Sequence, residues 1–186
     1  MPTHLTRATV VLALLCSLFF AQELPAQDSP GKKAPSVTML PSPLATVVRG
    51  KTTAVELQFR VASGFHINSN TPSEEYLIPT ALNVDPPTDI VVGKITYPPG
   101  EQMSFAFAPD EKLSVYSGDF TLSVSVRPLA SVLPSKYEFR GTLKYQACDN
   151  AACYPPKRLP VEFEVKVIKA PKPPAKNPAQ SPHAHD

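Results

Sequence analysis

The run Val55-Glu56-Leu57-Gln58-Phe59-Arg60-Val61 alternates strictly between apolar and polar side chains. Successive side chains of a β-strand point to opposite faces, so this pattern predicts a strand with one face in a core and one in water. The same alternation recurs over 120–127, 137–145 and 159–167. Shorter candidate strands lie at 36–48, 79–84, 89–97, 102–107 and 113–116.

Proline is unusually frequent, with 23 of 186 residues. It disrupts helix interiors and central strands but suits turns and strand ends. Between residues 36 and 168, no window of a dozen residues has helical apolar spacing without a proline. Strands with one wet face and no helices between them predict an all-β fold, an immunoglobulin-like antiparallel β-sandwich, over residues 36–168.

The two ends of the chain differ from this domain. Residues 1–26 contain an apolar run of about 14 residues, shorter than the ~20 that a membrane-spanning helix needs, and we interpret them as a signal peptide cleaved near Ala26, or alternatively near Ala21. Residues 27–35 are expected to form a flexible linker, and residues 169–186 a disordered Pro-rich tail. We therefore expect an exported, soluble, periplasmic protein.

Charge and motifs exclude several function classes. The net charge is only +2, and the basic residues are scattered, so we expect no binding to nucleic acid. The sequence has neither a metal-ligand motif nor the Gly-x-Ser-x-Gly elbow of many hydrolases. We accordingly predict no cofactor and no metal.

Cys148 and Cys153 are the residues most informative about chemistry. Loss of the signal peptide would remove Cys16 and leave an even number of cysteines in an oxidising compartment, where disulfides persist. A strong strand precedes the pair and another follows it, while Asp149 and Asn150 supply turn chemistry between the two sulfurs.

Three interpretations of the pair remain open from the spacing alone. A structural disulfide here would close a loop of about six residues, which stabilises by roughly 2 kcal/mol, against about 4 for the ~60-residue loop of an inter-sheet bridge. A structural zinc site needs three or four ligands, and the only candidate for a third ligand is His66, which is distant in the sequence. A redox-active pair that opens and closes is the interpretation that this spacing favours.

The run YQACDNAACYPP at 145–156 resembles the active-site loop of the N-terminal periplasmic domain in the family of the thiol:disulfide interchange protein DsbD. The segment GFHINSN at 64–70 is similar to a further family landmark, as are ITYP at 95–98 and VYSG at 115–118. The landmarks occur in the family's order, so the resemblance covers most of residues 36–168.

This resemblance implies a domain that passes electrons outside the cytoplasm by thiol–disulfide exchange, without a cofactor. Its implied partners are thioredoxin-like proteins and disulfide isomerases, including those of cytochrome c biogenesis. By position, Cys153 would form the mixed disulfide with the partner and Cys148 would resolve it. Full-length relatives continue into a membrane-embedded and a thioredoxin-like domain, so we expect a separate membrane electron donor here. We expect a monomer, because transient partners need the same surface free.

Relatives shield their cysteines with a cap loop, which corresponds here to residues 105–112 in a shifted order. The resemblance implies Phe107 as the shield and Asp110 and Glu111 as proton-handling groups. The alternative is that the two acidic residues form an ordinary solvated turn.

Tyr145 and Tyr154 flank the cysteines in the sequence, whereas His66 lies far from them. Tyr154 is expected to be exposed and to contact a partner, whereas Tyr145 falls on the core face of its strand. We leave His66 out of the site, because a lone histidine in a loop is usually just hydrogen-bonded.

A second function stays open beside electron transfer. Immunoglobulin-like domains serve many adhesive and scaffolding roles, and a fold does not fix a function. In a non-catalytic binding module, Cys148 and Cys153 would form a structural disulfide.

Overall fold

A computed structural model describes residues 36–171. The predicted signal peptide, the linker at 27–35 and most of the predicted tail lie outside the described residues. Within the described range the chain forms strands and no helix, and hence no helix that could cross a membrane. The strands are β1 (Val37–Met39), β2 (Ala45–Val48), β3 (Thr53–Val61), β4 (His66–Asn68), β5 (Ala81–Asp85), β6 (Ile90–Thr96), β7 (Glu101–Phe105), β8 (Ala108–Tyr116), β9 (Asp119–Pro128), β10 (Ser135–Tyr145), β11 (Ala147–Cys148) and β12 (Lys157–Ile168).

Two four-stranded sheets form an immunoglobulin-like sandwich. One sheet has the strand order β1-β3-β9-β6 and the other β2-β12-β10-β5. The apolar residues of the alternating runs fill one core between them, where Phe59 stacks on Phe120 and Phe139 on Phe163. Burial of apolar side chains along one face of each strand is the main stabilising force of such a sandwich. The sequence prediction of the fold class is confirmed.

One strand pairing departs from the predicted antiparallel arrangement. β2 lies parallel to the end of β12, with Ala45 opposite Val165 and Val48 opposite Ile168. The connection from β1 to β2 carries the chain from one sheet to the other, so β2 enters the second sheet in the same direction as β12.

A smaller third sheet has the order β11-β4-β8-β7. Three of its strands adjoin long strands of the sandwich along the chain: β4 follows β3, β8 precedes β9, and the single residue Gln146 separates β11 from β10. Because the core fixes β3, β9 and β10, it also fixes the third sheet. This sheet carries Cys148.

Candidate functional site

The two cysteines face each other in a narrow hairpin. Cys148 and Cys153 form an isolated antiparallel bridge, and a disulfide joins them with their Cα atoms 3.9 Å apart. The Tyr154 amide donates to the Ala147 carbonyl on one side of the bridge (2.8 Å), and the Asp149 amide donates to the Ala152 carbonyl on the other (2.9 Å). These bonds flank a non-hydrogen-bonded pair, the position at which side chains of antiparallel strands come closest. The backbone therefore brings the two sulfurs together.

Asp149 organises the tip of the hairpin. Its Oδ1 accepts hydrogen bonds from the amides of Ala151 (2.8 Å) and Ala152 (2.9 Å). Its Oδ2 accepts a hydrogen bond from the Tyr154 hydroxyl at 2.6 Å, and this bond, followed by burial, raises the pKa of Tyr154. An aspartate that bonds the backbone two residues on is the turn chemistry expected of this segment.

The two cysteine residues differ in their exposure to solvent. Cys148 is 0 % exposed, whereas Cys153 is half-buried and follows the exposed residues Ala151 and Ala152. Thiol–disulfide exchange needs an approach to one particular sulfur, so access helps to decide which sulfur reacts. Of the two residues, Cys153 is the more accessible from outside the domain.

His66 lies directly beside Cys148, which the sequence interpretation missed. A turn from Ala62 to Phe65, with Gly64 at a φ of 86°, brings the chain into β4. β4 then pairs with β11 so that His66 lies opposite Cys148. Residues opposite each other in an antiparallel pair project to the same face, with Cβ atoms ~5 Å apart. His66 is thus a buried strand residue (4 % exposed) and not a loop histidine.

The imidazole of His66 has an unusual environment. Its Nε2 is buried without a hydrogen-bond partner. Burial lowers the pKa of His66 from 6.5 to about 4, against an opposing contribution from the charge of Asp149. The ring is therefore neutral at pH 7.

The predicted cap loop is a β-hairpin. β7 and β8 are joined through a tight turn at Ala106 and Phe107, with Phe105 opposite Ala108. Phe105 stacks on the imidazole of His66 at a centroid distance of 3.8 Å, and Phe107 stacks on Phe105 at 5.5 Å. Phe105 is buried and Phe107 half-buried. Phe105 therefore makes the aromatic contact with His66, and Phe107 contacts Phe105; the role of Phe107 as a shield remains a prediction.

Asp110 and Glu111 lie on strand β8 of this hairpin and not in a turn. Asp110 is exposed. Glu111 accepts a hydrogen bond from the hydroxyl of exposed Tyr76 at 3.0 Å. Their role in proton handling remains a prediction.

A network of hydrogen bonds around the Gln146 side chain connects the segments that carry the site. The side-chain oxygen of Gln146 accepts hydrogen bonds from the Asn68 side chain and the Ile78 amide, both at 3.1 Å. The Gln146 side-chain amide donates to the Tyr154 carbonyl at 3.2 Å. One residue thus ties β4 and the cysteine hairpin to the end of β10. Sequence pattern does not reveal this role, because it depends on contacts between distant segments.

The two tyrosines that flank the pair have different settings. Tyr145 is buried in the core, as predicted, and its hydroxyl accepts a hydrogen bond from the Val37 amide at 3.3 Å. Tyr154 is half-buried where exposure was predicted, because its ring packs edge-on against Phe65 at 5.9 Å and its hydroxyl bonds Asp149. Contact of Tyr154 with a partner remains a prediction.

A family comparison bears on this site. The family model described as the N-terminal part of the thiol:disulfide interchange protein DsbD matches residues 36–164. The chain belongs to this family. The matched range includes both cysteines, His66 and the β7–β8 hairpin, and it confirms the resemblance drawn from the sequence. No curated protein matches the chain.

The solved structures to which the chain is similar have low sequence identities and low TM-scores. The complex of the DsbD and PilB N-terminal domains from Neisseria meningitidis gives 20 % identity over 60 % of this chain and 73 % of that chain, with a TM-score of 0.37. AggA, the major subunit of aggregative adherence fimbriae type I of Escherichia coli, gives 10 % identity over 72 % and 94 %, with a TM-score of 0.32. A PapD-like domain of human CEP192 gives 12 % identity over 77 % and 94 %, with a TM-score of 0.31.

Across residues 36–171, no three His, Cys, Asp or Glu side chains come together in a group that could hold a metal ion.

Proposed function

We propose that the domain is a thiol–disulfide exchange module that passes two electrons to partner proteins through Cys148 and Cys153. The family match and the disulfide between these residues support this function. The observation that carries it is the unequal exposure of the two cysteines, since Cys148 is fully buried and Cys153 is partly exposed. A pair that only stabilised the fold would need no accessible sulfur.

The reaction begins with the reduced pair. The Cys153 thiolate attacks one sulfur of the partner's disulfide, a mixed disulfide forms, and the partner's other sulfur leaves as a thiolate. The partner's free thiolate takes up the proton of Cys148, and the Cys148 sulfur attacks the sulfur of Cys153. This attack re-forms the Cys148–Cys153 disulfide, breaks the mixed disulfide and releases the partner's second sulfur as a thiolate. The partner gains two electrons and the domain loses two.

Access supports this assignment of roles. The nucleophile in exchange is a thiolate, and it must reach the partner's sulfur. The partly exposed position of Cys153 at the end of the hairpin supports its role as this nucleophile, whereas Cys148 is fully buried beside it. The direct opposition of the two residues keeps the resolving sulfur next to the mixed disulfide.

We also propose the setting in which the module works. The chain is exported to the periplasm, where it acts as a monomer on thioredoxin-like or disulfide-isomerase partners, including those that serve cytochrome c maturation. A separate membrane protein supplies its electrons. The N-terminal apolar run and the family match support this setting.

Trapping of a mixed disulfide tests the function. In a Cys16→Ser background, the Cys148→Ser variant lacks the resolving sulfur and should accumulate a mixed disulfide with an oxidised thioredoxin-fold protein. The matched Cys153→Ser variant retains only the buried sulfur and should trap little. Non-reducing electrophoresis measures both. The proposal is contradicted if neither variant traps and reduced thioredoxin leaves the native disulfide intact.

A further inference from the structure

Nε2 of the buried His66 imidazole has no hydrogen-bond partner, and His66 lies next to the Cys148–Cys153 pair. His66 lies opposite Cys148 in the β4–β11 pair, is 4 % exposed, and leaves Nε2 without a hydrogen bond while the disulfide is closed. A buried polar atom without a partner destabilises the folded state, because its hydrogen bond to water is lost and not replaced. Such an atom in a native structure calls for an explanation.

Reduction of the disulfide changes what Cys148 can offer to this nitrogen. A disulfide sulfur has no proton, whereas a thiol is a hydrogen-bond donor, although a weak one. The imidazole is neutral, since burial lowers the pKa of His66 to about 4, and a neutral imidazole has one accepting nitrogen. A proton on Nδ1 leaves Nε2 as that acceptor.

We propose that in the reduced domain the Cys148 thiol donates a hydrogen bond to Nε2 of His66. This bond holds the proton on Cys148 and leaves Cys153 as the sulfur that ionises and attacks the partner. His66 is thus a residue that selects between the two sulfurs, and the inference rests on the proposed exchange function.

Surrounding contacts hold the imidazole in place for this role. Phe105 stacks on it from the cap hairpin, with centroids 3.8 Å apart and planes inclined by 15°. Pairing of β4 with β8 on its other edge fixes the strand, with Ile67 opposite Tyr116. The stack and the strand pairing together restrict the position of the imidazole beside Cys148.

The hydrogen bond also shifts the redox equilibrium. Reduction by glutathione consumes two glutathione thiols and yields one glutathione disulfide and the Cys148–Cys153 dithiol, with two protons ending on the dithiol. Nε2 is unpaired in the oxidised form and paired in the reduced form, so the interaction stabilises the dithiol. We expect His66 to make the domain easier to reduce.

Nitrogen NMR of the wild-type chain tests this inference directly. With histidine labelled by ¹⁵N, the Nε2 resonance of His66, identified by its absence from the His66→Phe spectrum, should move upfield on reduction as the nitrogen accepts a hydrogen bond. An Nε2 resonance that is the same in the oxidised and reduced forms overturns the proposal. The comparison of oxidised and reduced protein uses the wild-type chain alone. A variant is needed only to assign the resonance.

Two variants test the effect on the equilibrium with glutathione. His66→Phe keeps a ring against Phe105 but removes the acceptor, and should favour the disulfide by about tenfold, a shift of ~30 mV. His66→Gln restores a side-chain acceptor and should recover a large part of that shift. A His66→Phe equilibrium equal to that of the wild type contradicts the proposal.

These readouts separate the inference from the proposed function. Neither the NMR experiment nor the glutathione titration contains a partner protein. If wild-type protein exchanges with partners and His66→Phe has the wild-type equilibrium, only the role of His66 fails. If trapping on Cys153 fails while the His66 resonance and equilibrium respond as expected, only the exchange function fails.

Discussion

The ring of Phe105 lies face to face with the imidazole of His66, which in turn lies opposite Cys148. The β7–β8 hairpin therefore reaches the cysteine pair through His66. Phe107 packs on the outer side of Phe105, with the two planes inclined by 8°. The cap and the redox pair are thus connected through the imidazole.

Removal of the Phe105 ring should open the site. Phe105 also packs in a small cluster with Leu77, Leu113 and Val115, so Phe105→Ala should lower the free energy of unfolding by about 3 kcal/mol. It should also speed reduction of the disulfide by dithiothreitol, because the cover over His66 is lost. Phe107→Ala is the matched control, and both effects should be smaller there since this ring is half-buried. A larger effect of Phe107→Ala would restore Phe107 as the principal shield.

The buried imidazole should make stability depend on pH. The pKa of His66 is about 4 in the folded chain, against 6.5 for an unperturbed histidine. Between these values the unfolded chain binds a proton that the folded chain does not. The contribution of His66 is therefore fully present above pH 6.5 and is lost as the pH falls to 4, by up to about 3 kcal/mol.

Urea denaturation of the oxidised chain at several pH values measures this loss. His66→Phe has no group to titrate, so its free energy of unfolding should fall less steeply than that of the wild type between pH 6.5 and 4. Equal slopes in the two proteins would contradict the burial of a neutral imidazole.

The bond between Tyr154 and Asp149 should be visible in the titration of tyrosine. Asp149→Ala removes the acceptor that chiefly raises the pKa of Tyr154, so this pKa should fall toward 10.0. Ultraviolet difference spectra against pH measure the change. Tyr76 serves as an internal control, because its raised pKa depends mainly on Glu111. An unchanged tyrosine titration in Asp149→Ala would show that this bond is not formed in solution.

The acidic residues of the hairpin provide a test of proton handling. If Asp110 and Glu111 relay protons, the double variant Asp110→Asn/Glu111→Gln should exchange with a partner about tenfold more slowly or worse. Glu101→Gln on β7 is a suitable control, since Glu101 is exposed on the same hairpin and bonds Ser117. An unchanged rate in the double variant removes both residues from the mechanism.

The sandwich was predictable because the decisive information is local. Each alternating run, such as the one from Val55 to Val61, predicts the buried face of its strand without information from other segments. The choice of which strands pair with each other depends on distant parts of the chain. The parallel pairing of β2 with β12 has no sequence signal, because it depends on where the chain crosses between the sheets.

The site was predictable only in part, for a related reason. Cys148 and Cys153 are close in sequence and share a turn, so their pairing follows from the segment itself. The opposition of His66 and Cys148 depends on the register between two short strands from distant parts of the chain. Which of the two rings, Phe105 or Phe107, stacks on His66 depends on the turn at Ala106 and Phe107. This turn lacks the Gly or Asn that is typical of tight hairpins.

The reduction potential of the Cys148–Cys153 pair tests the central claim most directly. The purified chain, in a Cys16→Ser background, is equilibrated against glutathione or thioredoxin buffers, and the dithiol fraction is measured by alkylation. A potential between roughly −180 and −270 mV, the range of exchange proteins, is the predicted result. A value well below about −300 mV, where structural disulfides lie, would contradict the account and favour a binding module with a structural disulfide.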